Sequence, residues 1–299
     1  MINKARAGLA TAALAYILWG LSPLYFILLK TVPAWEVLSH RILWSVVALL
    51  PFCLFLSGKA ELKRIFTDKA ILKTSLISSI LISLNWVTFI YAVSAGRTLE
   101  ASLGYFLNPI FIVFLGRVAF RERLTWNQNV CLGLAALGLS VQVIATGSLS
   151  WISLLLVVSF GFYSLIKKKL SFKSWDSLLL ETCLSLPVAA FYLWYRHDQD
   201  LLVWLSTGQN YLDWVLPLSG LVTAVPLVLF AFGAQRLPMA TLGFLQYIAP
   251  SLQFLVAIVV LGEELNMARL LSFVIIWIGL VVLVTGPRLL KTTVTSVNS

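Results

Sequence analysis

The sequence predicts an all-α integral membrane protein of ten transmembrane helices, arranged as two inverted repeats of five helices each. Three observations predict this class. Of the 299 residues, 60% are hydrophobic and only 11% are charged, and the mean hydropathy is +0.94. Long apolar stretches follow one another along the chain, and one of its segments recurs later in the sequence.

The composition excludes a soluble domain, in which roughly a quarter of the residues are charged. A membrane β-barrel is also excluded, because no run of alternating apolar and polar residues is present. Backbone groups in lipid must be bonded within their own segment, so apolar stretches of about 20 residues predict helices. The predicted helices are 7–29, 34–57, 71–95, 99–119, 127–146, 149–167, 176–195, 211–234, 239–261 and 267–287.

The recurring segment predicts how these helices are grouped. It occupies residues 92–104 and again residues 231–243, 139 positions later. The identical pairs include Ala92 and Ala231, Arg97 and Arg236, and Gly104 and Gly243. An odd number of spans in each copy reverses the second copy in the membrane, as in many secondary transporters. We therefore predict one repeat over residues 1–147 and a second over 148–299, which ends in a short cytoplasmic tail.

The net charge of +10 comes from basic residues in short loops and at helix ends, which offer no basic face to a nucleic acid. With ten spans, most of these residues fall on one side, and this bias predicts that both termini are cytoplasmic. The apolar run after Lys4 and Arg6 is too long for the core of a signal peptide, so we interpret it as the first helix. Lys167, Lys168 and Lys169 are predicted to anchor the chain at anionic lipid on the cytoplasmic side.

Missing motifs narrow the range of functions. The sequence has no Gly-rich phosphate-binding motif followed by Lys and Ser or Thr, so ATP does not drive this chain directly. Its cysteines, Cys53, Cys131 and Cys183, lie in apolar stretches without metal-ligand spacing. We predict no cofactor, no metal site and no enzymatic activity.

Three polar residues near the outer end of the second predicted helix are the first candidate site. Glu36 and His40 are four residues apart and share one helix face, and Arg41 follows directly. A charge at the centre of a membrane helix costs about 2.5–3.5 kcal/mol, so these side chains are expected to face protein or water. One interpretation is an anion site at Arg41 or a proton relay through Glu36 and His40. The other is a self-compensating ion network that holds the outer end of the bundle together.

A single carboxylate, Glu181, lies within the apolar seventh helix. It corresponds to Arg41 in the repeat, 140 positions earlier. A lone intramembrane carboxylate is a functional candidate by default. It can serve in proton coupling, or it can accept hydrogen bonds from neighbouring helices.

Aromatic and amide side chains within the helices form the candidate substrate site. Ligand pockets are mostly apolar and aromatic with a few placed polar groups, whereas Trp and Tyr also mark membrane interfaces and pack in helix bundles. Both interpretations stay open for this set. The candidate residues are Trp86, Tyr91, Tyr105, Asn108, Gln246, Tyr247 and Gln253.

Two prolines occupy matching positions of the repeat. Pro109 and Pro250 are 141 positions apart, each inside an apolar helix. Proline removes a backbone donor and favours a kink. The pair is interpreted either as two hinges for alternating access or as fixed curvature that serves packing.

Longer stretches resemble a known family. Residues 36–45 (EVLSHRILWS), 83–110 and 223–255 resemble the RarD-type branch of the EamA drug/metabolite transporter superfamily. The resemblance covers nearly the whole chain and implies a ten-helix permease of the bacterial inner membrane, with two inverted five-helix repeats. It also implies a central substrate cavity, to which we assign the motif positions among the candidates: Trp86, Tyr91, Tyr105, Asn108, Gln246 and Tyr247. Glu36, His40 and Arg41 match a Glu-x-x-x-His-Arg pattern of the family.

The predicted function is secondary transport of small organic metabolites or drugs by alternating access, with export as the favoured direction. The predicted partners are a small-molecule substrate and the lipid bilayer. Two alternatives stay open: a membrane-embedded enzyme that acts on a lipid-linked substrate, and a membrane sensor that transports nothing.

Overall fold

The computed structural model describes residues 2–94, 98–146, 150–205, 210–260 and 267–285, and every regular element in these ranges is helical. The helices of residues 1–147 are α1 (Ile2–Phe26), α2 (Ala34–Leu56), α3 (Gly58–Thr67), α4 (Lys69–Ser94), α5 (Thr98–Phe120) and α6 (Trp126–Thr146). The later helices are α7 (Trp151–Lys169), α8 (Ser174–Asp198), α9 (Asn210–Ala234), α10 (Met239–Gln246), α11 (Ile248–Leu255) and α12 (Met267–Thr285). The short turns Ile27–Leu29 and Val256–Val260 are a 3-10 helix and a π-helix.

The chain is a multi-pass membrane protein. Within the described residues, eight helical segments are long and apolar enough to cross a membrane, and two shorter apolar helices accompany them at Gly104–Phe120 and Leu270–Thr285. The predicted all-helical membrane class is therefore confirmed. The count of ten spans stays a prediction, because those two segments fall short of full span length in this part of the chain.

Helix α3 was not predicted. It is amphipathic, with Leu62 and Ile65 buried, while Glu61 and Arg64 beside them form an ion pair at 2.6 Å. The hydrogen bonds from Arg64 hold the pKa of Glu61 below its usual value. A helix with this many charged residues is not found by a search for apolar spans. Its amphipathic pattern is typical of a helix that lies along the membrane surface, here between α2 and α4.

The helix contacts are arranged in matching pairs. Helix α1 packs against α9 and against α10–α11, and α7 packs correspondingly against α4 and α5. Helix α2 packs against α9, and α8 packs correspondingly against α4. The remaining principal contacts, α2 with α8, α5 with α10 and α6 with α12, join corresponding helices of the two halves to each other. Most of the packing thus lies between the halves, so they form one bundle.

Glycines allow α9 to approach its neighbours closely. A Cβ atom on Gly220 would lie 2.3 Å from the carbonyl carbon of Trp44 in α2. A Cβ atom on Gly233 would lie 2.8 Å from the Cβ atom of Ala12 in α1. Small residues at such crossings let membrane helices gain van der Waals contact along their backbones.

The ninth predicted helix is interrupted, whereas its repeat partner is not. The backbone leaves the α-helical pattern at Tyr247, between α10 and α11, and changes again into the π-helix Val256–Val260. Pro250 cannot donate to the carbonyl of Gln246, four residues earlier, so the hydrogen-bond ladder fails at this place. Helix α5 is continuous through Pro109. The hinge role of both prolines stays a prediction.

One cap joins the two halves on the side where α5 ends. The Glu122 carboxylate accepts hydrogen bonds from the backbone N–H groups of Met239 at 2.7 Å and Ala240 at 2.9 Å. These donors are at the N-terminus of α10, where helical N–H groups lack partners and the helix dipole favours a negative charge. Glu122 therefore fixes the start of α10 to the end of α5.

Candidate functional site

Arg41 lies inside the bundle and contacts helices from both halves. Its Nε–H donates a hydrogen bond to Thr223 Oγ1 in α9 at 2.8 Å. Its guanidinium carbon lies 5.4 Å from the ring centre of Phe26 in α1 and 5.0 Å from that of Trp86 in α4. Arg41, Phe26 and Trp86 are all partly exposed, so water can reach this group of side chains.

Two tyrosines complete the surroundings of this guanidinium. The phenol groups of Tyr25 in α1 and Tyr105 in α5 lie near its charge, and among the described contacts neither is hydrogen-bonded to it. Tyr25 donates its own hydroxyl proton to the Val215 carbonyl at 2.7 Å. Among the described side chains, no carboxylate lies within ion-pair distance of Arg41. We call the set Tyr25, Phe26, Arg41, Trp86, Tyr105 and Thr223 the Arg41 pocket.

Glu36 has different hydrogen-bond partners from Arg41. Its Oε1 accepts hydrogen bonds from the backbone N–H groups of Val203 at 2.8 Å and Trp204 at 3.2 Å. Its Oε2 lies 3.4 Å from Arg196 at the end of α8. The carboxylate, fully buried, ties the loop between α8 and α9 to the start of α2.

His40 lies beneath the same loop. Its Nδ1 accepts a hydrogen bond from Trp44 Nε1 at 3.2 Å, and its ring meets that of Trp204 edge-on at 5.2 Å. In this arrangement the ring proton is on Nε2, which is buried without a partner. Within the described contacts, Glu36, His40 and Arg41 do not form the self-compensating network that their spacing suggested. Each has partners of its own.

Replacing Glu36 with alanine is expected to release the loop between α8 and α9, because two part-buried backbone donors and Arg196 lose their acceptor. Leaving such groups unsatisfied costs about 1–3 kcal/mol. Hydrogen exchange measured by mass spectrometry should become faster over residues 201–205 while the transmembrane helices keep their protection. Asp198→Ala, which removes an exposed carboxylate at the end of α8, is the matched control. Equal exchange in the two variants would contradict this role of Glu36.

Glu181 forms an ion pair with Lys167, which the sequence pattern predicted to lie at the lipid surface. Lys167 Nζ lies 2.7 Å from Glu181 Oε1, and the two side chains are 0% and 2% exposed. The prediction that Lys167 anchors the chain at lipid is therefore wrong. The i, i+4 spacing from Tyr163 was the available signal, because it puts Lys167 one turn beyond an inward-facing tyrosine on the same face.

Further polar groups surround this ion pair. Ser78 in α4 donates to Glu181 Oε1 at 2.6 Å, and Ser177 lies 2.7 Å from Lys167 Nζ. Tyr163 OH is 3.5 Å from Glu181 Oε2. Helices α4, α7 and α8 thus meet at one buried, hydrogen-bonded charge pair.

Arg41 and Glu181 occupy corresponding places, and their neighbours explain why the charges differ. Arg41 in α2 faces α1 and α9, while Glu181 in α8 faces α7 and α4, the corresponding helices. Phe26 and Lys167, the neighbours on α1 and α7, are 141 positions apart in the sequence. A guanidinium beside an aromatic ring in one half thus corresponds to a carboxylate beside an ammonium in the other.

An aromatic layer lies between these two sites. Tyr163 contacts Glu181 on one side, and its ring stacks on Phe230 at 6.3 Å on the other. Phe230 is seven residues beyond Thr223 on α9, which is about 10 Å along the helix. The layer therefore separates the Arg41 pocket from the Lys167–Glu181 pair. Its members are Tyr16, Trp19, Phe160, Tyr163 and Phe230.

The structure separates the predicted substrate residues into groups. Trp86 and Tyr105 belong to the Arg41 pocket. Asn108 and Gln246 are buried, and each has a side-chain oxygen without a hydrogen-bond partner. Tyr91 is 45% exposed and its ring packs on Trp151 at 5.6 Å, so it lies apart from the pocket.

The remaining two predicted residues bond to backbone carbonyls. Tyr247 is buried and its hydroxyl donates to Phe106 at 3.3 Å. Gln253 donates through Nε2 to Trp19 at 3.1 Å. Both bonds join α10–α11 to helices of the first half, so these side chains hold the bundle together beside the aromatic layer.

Sequence reasoning missed three members of the pocket: Tyr25, Phe26 and Thr223. Phe and Thr do not stand out in an apolar helix, and a Tyr near a helix end also fits a membrane interface, so only the proximity to Arg41 marks these residues. Within the described part of the chain, no three His, Cys, Asp or Glu side chains come together as metal ligands would.

A separate hollow of about 320 Å³ opens at the end of α5. It is lined by Arg117, Arg121, Glu122, Arg123, Leu124 and Asn129. Glu122 is already bonded to the start of α10, and the three arginines are exposed. This hollow is a solvated basic surface, remote from the Arg41 pocket.

Comparison with known proteins identifies the family. The model of the EamA-like transporter family matches residues 6–144 and again residues 148–285. The chain belongs to the EamA-like transporter family. The protein is therefore a membrane transporter of the RarD type, as the resemblance of its motifs predicted.

Relatives of this EamA-like transporter cover nearly its whole length. An uncharacterized transporter of Pseudomonas aeruginosa is 41% identical over 280 residues, which are 93% of each chain. Protein RarD of Escherichia coli is 40% identical over 287 residues, which are 94% of this chain and 95% of the relative. The chloramphenicol-sensitive protein RarD of Pseudomonas aeruginosa is 30% identical over 293 residues, with 95% and 96% covered.

A solved crystal structure of a protein shares the fold of this EamA-like chain. The TM-score is 0.71, and the match covers 92% of this chain and 96% of that one at 17% identity. At this identity the likeness concerns the arrangement of the helices alone.

Proposed function

We propose that this transporter moves small organic solutes by alternating access between two inverted five-helix repeats, residues 1–147 and 148–299. The Arg41 pocket is the observation that carries the proposal. It is partly exposed, and it is built from helices α1, α2, α4 and α5 of the first repeat together with α9 of the second. A solute bound there contacts both units whose relative movement would carry it.

The buried ion pair supports a closed barrier at the other end of the path. Lys167 and Glu181 are desolvated and joined to Ser78 of the first repeat. Opening that end exposes the pair to water, which solvates both charges and offsets their lost attraction. In this view the structure represents a state open toward Arg41 and closed at Lys167–Glu181. The helix break at Tyr247 and the matched prolines Pro109 and Pro250 are the proposed bending points.

The proposed setting is the bacterial inner membrane, with ten spans and both termini cytoplasmic. The sidedness of the basic residues supports this orientation. It places the Arg41 pocket toward the outside and the Lys167–Glu181 pair toward the cytoplasm. Export of metabolites or drugs is the proposed direction, by analogy with the family.

A proton-coupled mechanism would run through Glu181 in this proposal. Protonation of its carboxylate would remove the attraction to Lys167 and favour opening of the barrier. Glu36 and His40 are less suited, because Glu36 is hydrogen-bonded to the loop between α8 and α9, and His40 accepts from Trp44 and packs against Trp204 of that loop. The same loop contacts disfavour a membrane enzyme, whose only polar cluster would be Glu36, His40 and Arg41.

The test is transport by the purified full chain in phosphatidylcholine liposomes. The vesicles are incubated with a complete small-molecule extract of bacterial cells, and their contents are analysed by mass spectrometry. We expect a limited set of compounds to be enriched over protein-free vesicles. The amount of each enriched compound in the vesicles should change when a pH gradient is imposed. No enriched compound would overturn transport as proposed, and enrichment independent of the gradient would overturn proton coupling alone.

A further inference from the structure

The Arg41 pocket has a property that general transport of solutes does not require. We infer that the solute carries an anionic group, a carboxylate or a phosphate, which binds to the Arg41 guanidinium. This inference rests on the proposed function and names the class of substrate for the same pocket.

Some other charges that the structure buries have strong compensation from the protein, whereas Asp176 has one neutral hydroxyl donor, Ser57. Lys167 is paired with Glu181, and Glu36 has two backbone donors in addition to Arg196. Among the described side chains, Arg41 has one hydrogen-bond acceptor, the neutral hydroxyl of Thr223, together with the faces of two rings and two neighbouring phenol groups. A membrane bundle that leaves one inward guanidinium without a carboxylate places a positive charge where an anionic ligand gains most from it.

The geometry leaves the binding end of Arg41 free. Only Nε–H donates to Thr223, and the Nη groups donate to no described protein atom. Neither Nη atom is among the fully buried polar atoms that lack a partner, and Arg41 as a whole is partly exposed. Two parallel N–H groups on a planar guanidinium match the two oxygens of a carboxylate or phosphate, which makes bidentate binding available.

Thr223 positions the guanidinium for this task. Its hydroxyl accepts from Arg41 Nε and donates to the Ser219 carbonyl at 2.7 Å. Phe26 and Trp86 flank the charge with their rings, so the guanidinium plane is held in one orientation before a ligand arrives. The rings favour an anion with an apolar or aromatic body, because such a body replaces water against them.

The experiment uses the extract-loaded transport assay and sorts the enriched compounds by their charge at neutral pH. We expect organic carboxylates and phosphates to dominate the set. Zwitterionic phosphatidylcholine liposomes are compared with liposomes that also contain phosphatidylglycerol. Enrichment of soluble anions in both supports the inference. If the wild-type protein enriches neutral or cationic compounds instead, the inference is overturned while the transport function stands.

Variants of the pocket test whether Arg41 is the group that recognises the anion. With the most enriched anion as the radiolabelled probe, Arg41→Gln should reduce apparent affinity about 10- to 100-fold, the usual effect of losing a charge-assisted hydrogen bond. Arg41→Lys should keep the preference for anions at a lower affinity, because lysine retains the positive charge but lacks the two parallel N–H groups of the guanidinium. Arg64→Gln, on exposed α3, is the control for the loss of one arginine and should leave transport unchanged.

Several outcomes overturn the assignment. If Arg41→Gln binds the anion as tightly as the wild-type protein does, the positive charge of Arg41 does not contribute to binding. If the protein prefers anionic solutes only in vesicles that contain phosphatidylglycerol, the anion bound at Arg41 is a lipid headgroup. Size-exclusion chromatography of each variant confirms that it is folded. If Arg41→Gln fails to fold, two other results decide whether Arg41 recognises the anion: the charge class of the compounds that the wild-type protein enriches, and the affinity of Arg41→Lys for the anion.

Discussion

Replacing Glu181 with leucine is expected to destabilise the protein by about 3–5 kcal/mol, because Lys167 stays charged in the bundle without its counterion. Both side chains are almost fully buried. Ser177 and the ring of Tyr163 remain beside the ammonium, but neither carries a negative charge. The free energy of unfolding can be measured by titrating the purified protein in detergent micelles with sodium dodecyl sulfate.

The matched control for Glu181→Leu is the double variant Lys167→Met/Glu181→Leu. It replaces the ion pair with apolar side chains of similar size, and such replacements are often neutral or stabilising. We expect its stability to return to near the wild-type value. Glu61→Ala, which breaks an exposed ion pair on α3, should change stability little. If Glu181→Leu is as stable as the double variant, the buried pair does not behave as the contacts indicate.

The double variant also separates stability from transport. A bundle that is stable without the ion pair still lacks the group whose protonation is proposed to open the cytoplasmic side. We expect a folded protein that no longer responds to a pH gradient. A gradient response equal to that of the wild type would place the proton-coupling group elsewhere.

Replacing Gly220 with alanine should be the most damaging change at a helix contact. The added methyl group would lie 2.3 Å from the carbonyl carbon and 2.6 Å from the carbonyl oxygen of Trp44. Overpacking usually costs about 1–3 kcal/mol, and here no side-chain rotation can relieve the clash because the obstacle is backbone. We expect a loss of at least about 3 kcal/mol as α2 and α9 separate.

Gly133→Ala is the matched control for Gly220→Ala. Gly133 also lies inside a membrane helix, α6, but nothing lies within 4 Å of an added Cβ atom there. Alanine is favoured over glycine in helices by about 1 kcal/mol, so this variant should be as stable as the wild type or slightly more so. Thermal unfolding of both variants in detergent gives the comparison. Equal melting temperatures would show that the α2–α9 contact is looser than the structure indicates.

The helices were predictable from the sequence because lipid imposes one simple rule. Backbone groups without water must bond within their own segment, so apolar length alone locates a helix. The rule fails in two places. Helix α3 carries too much charge to be found by its hydropathy, and the break at Tyr247 depends on whether neighbouring helices accommodate the missing donor of Pro250. Pro109 satisfies the same sequence criterion without a break.

The candidate site was predictable in part. Arg41, Trp86 and Tyr105 were named from the cost of burying charge and the aromatic character of ligand pockets, and the structure brings these three side chains together. Tyr91 met the same criteria and lies apart on an exposed face. Amino-acid type does not specify the direction of a side chain, since helix faces are assigned only when the neighbours are known.

The sequence by itself determined the membrane class, the family, the positions of nearly all helices and the correspondence of Arg41 with Glu181. These properties depend on hydropathy and on spacing along one chain. Only the tertiary structure decided that Lys167 turns inward to Glu181, that Glu36 holds the loop between α8 and α9, and that Arg41 has Thr223 and two aromatic rings as its neighbours. Those partners lie on other helices, and whether a buried charge is compensated depends on contacts between helices, which no pattern within a single helix encodes.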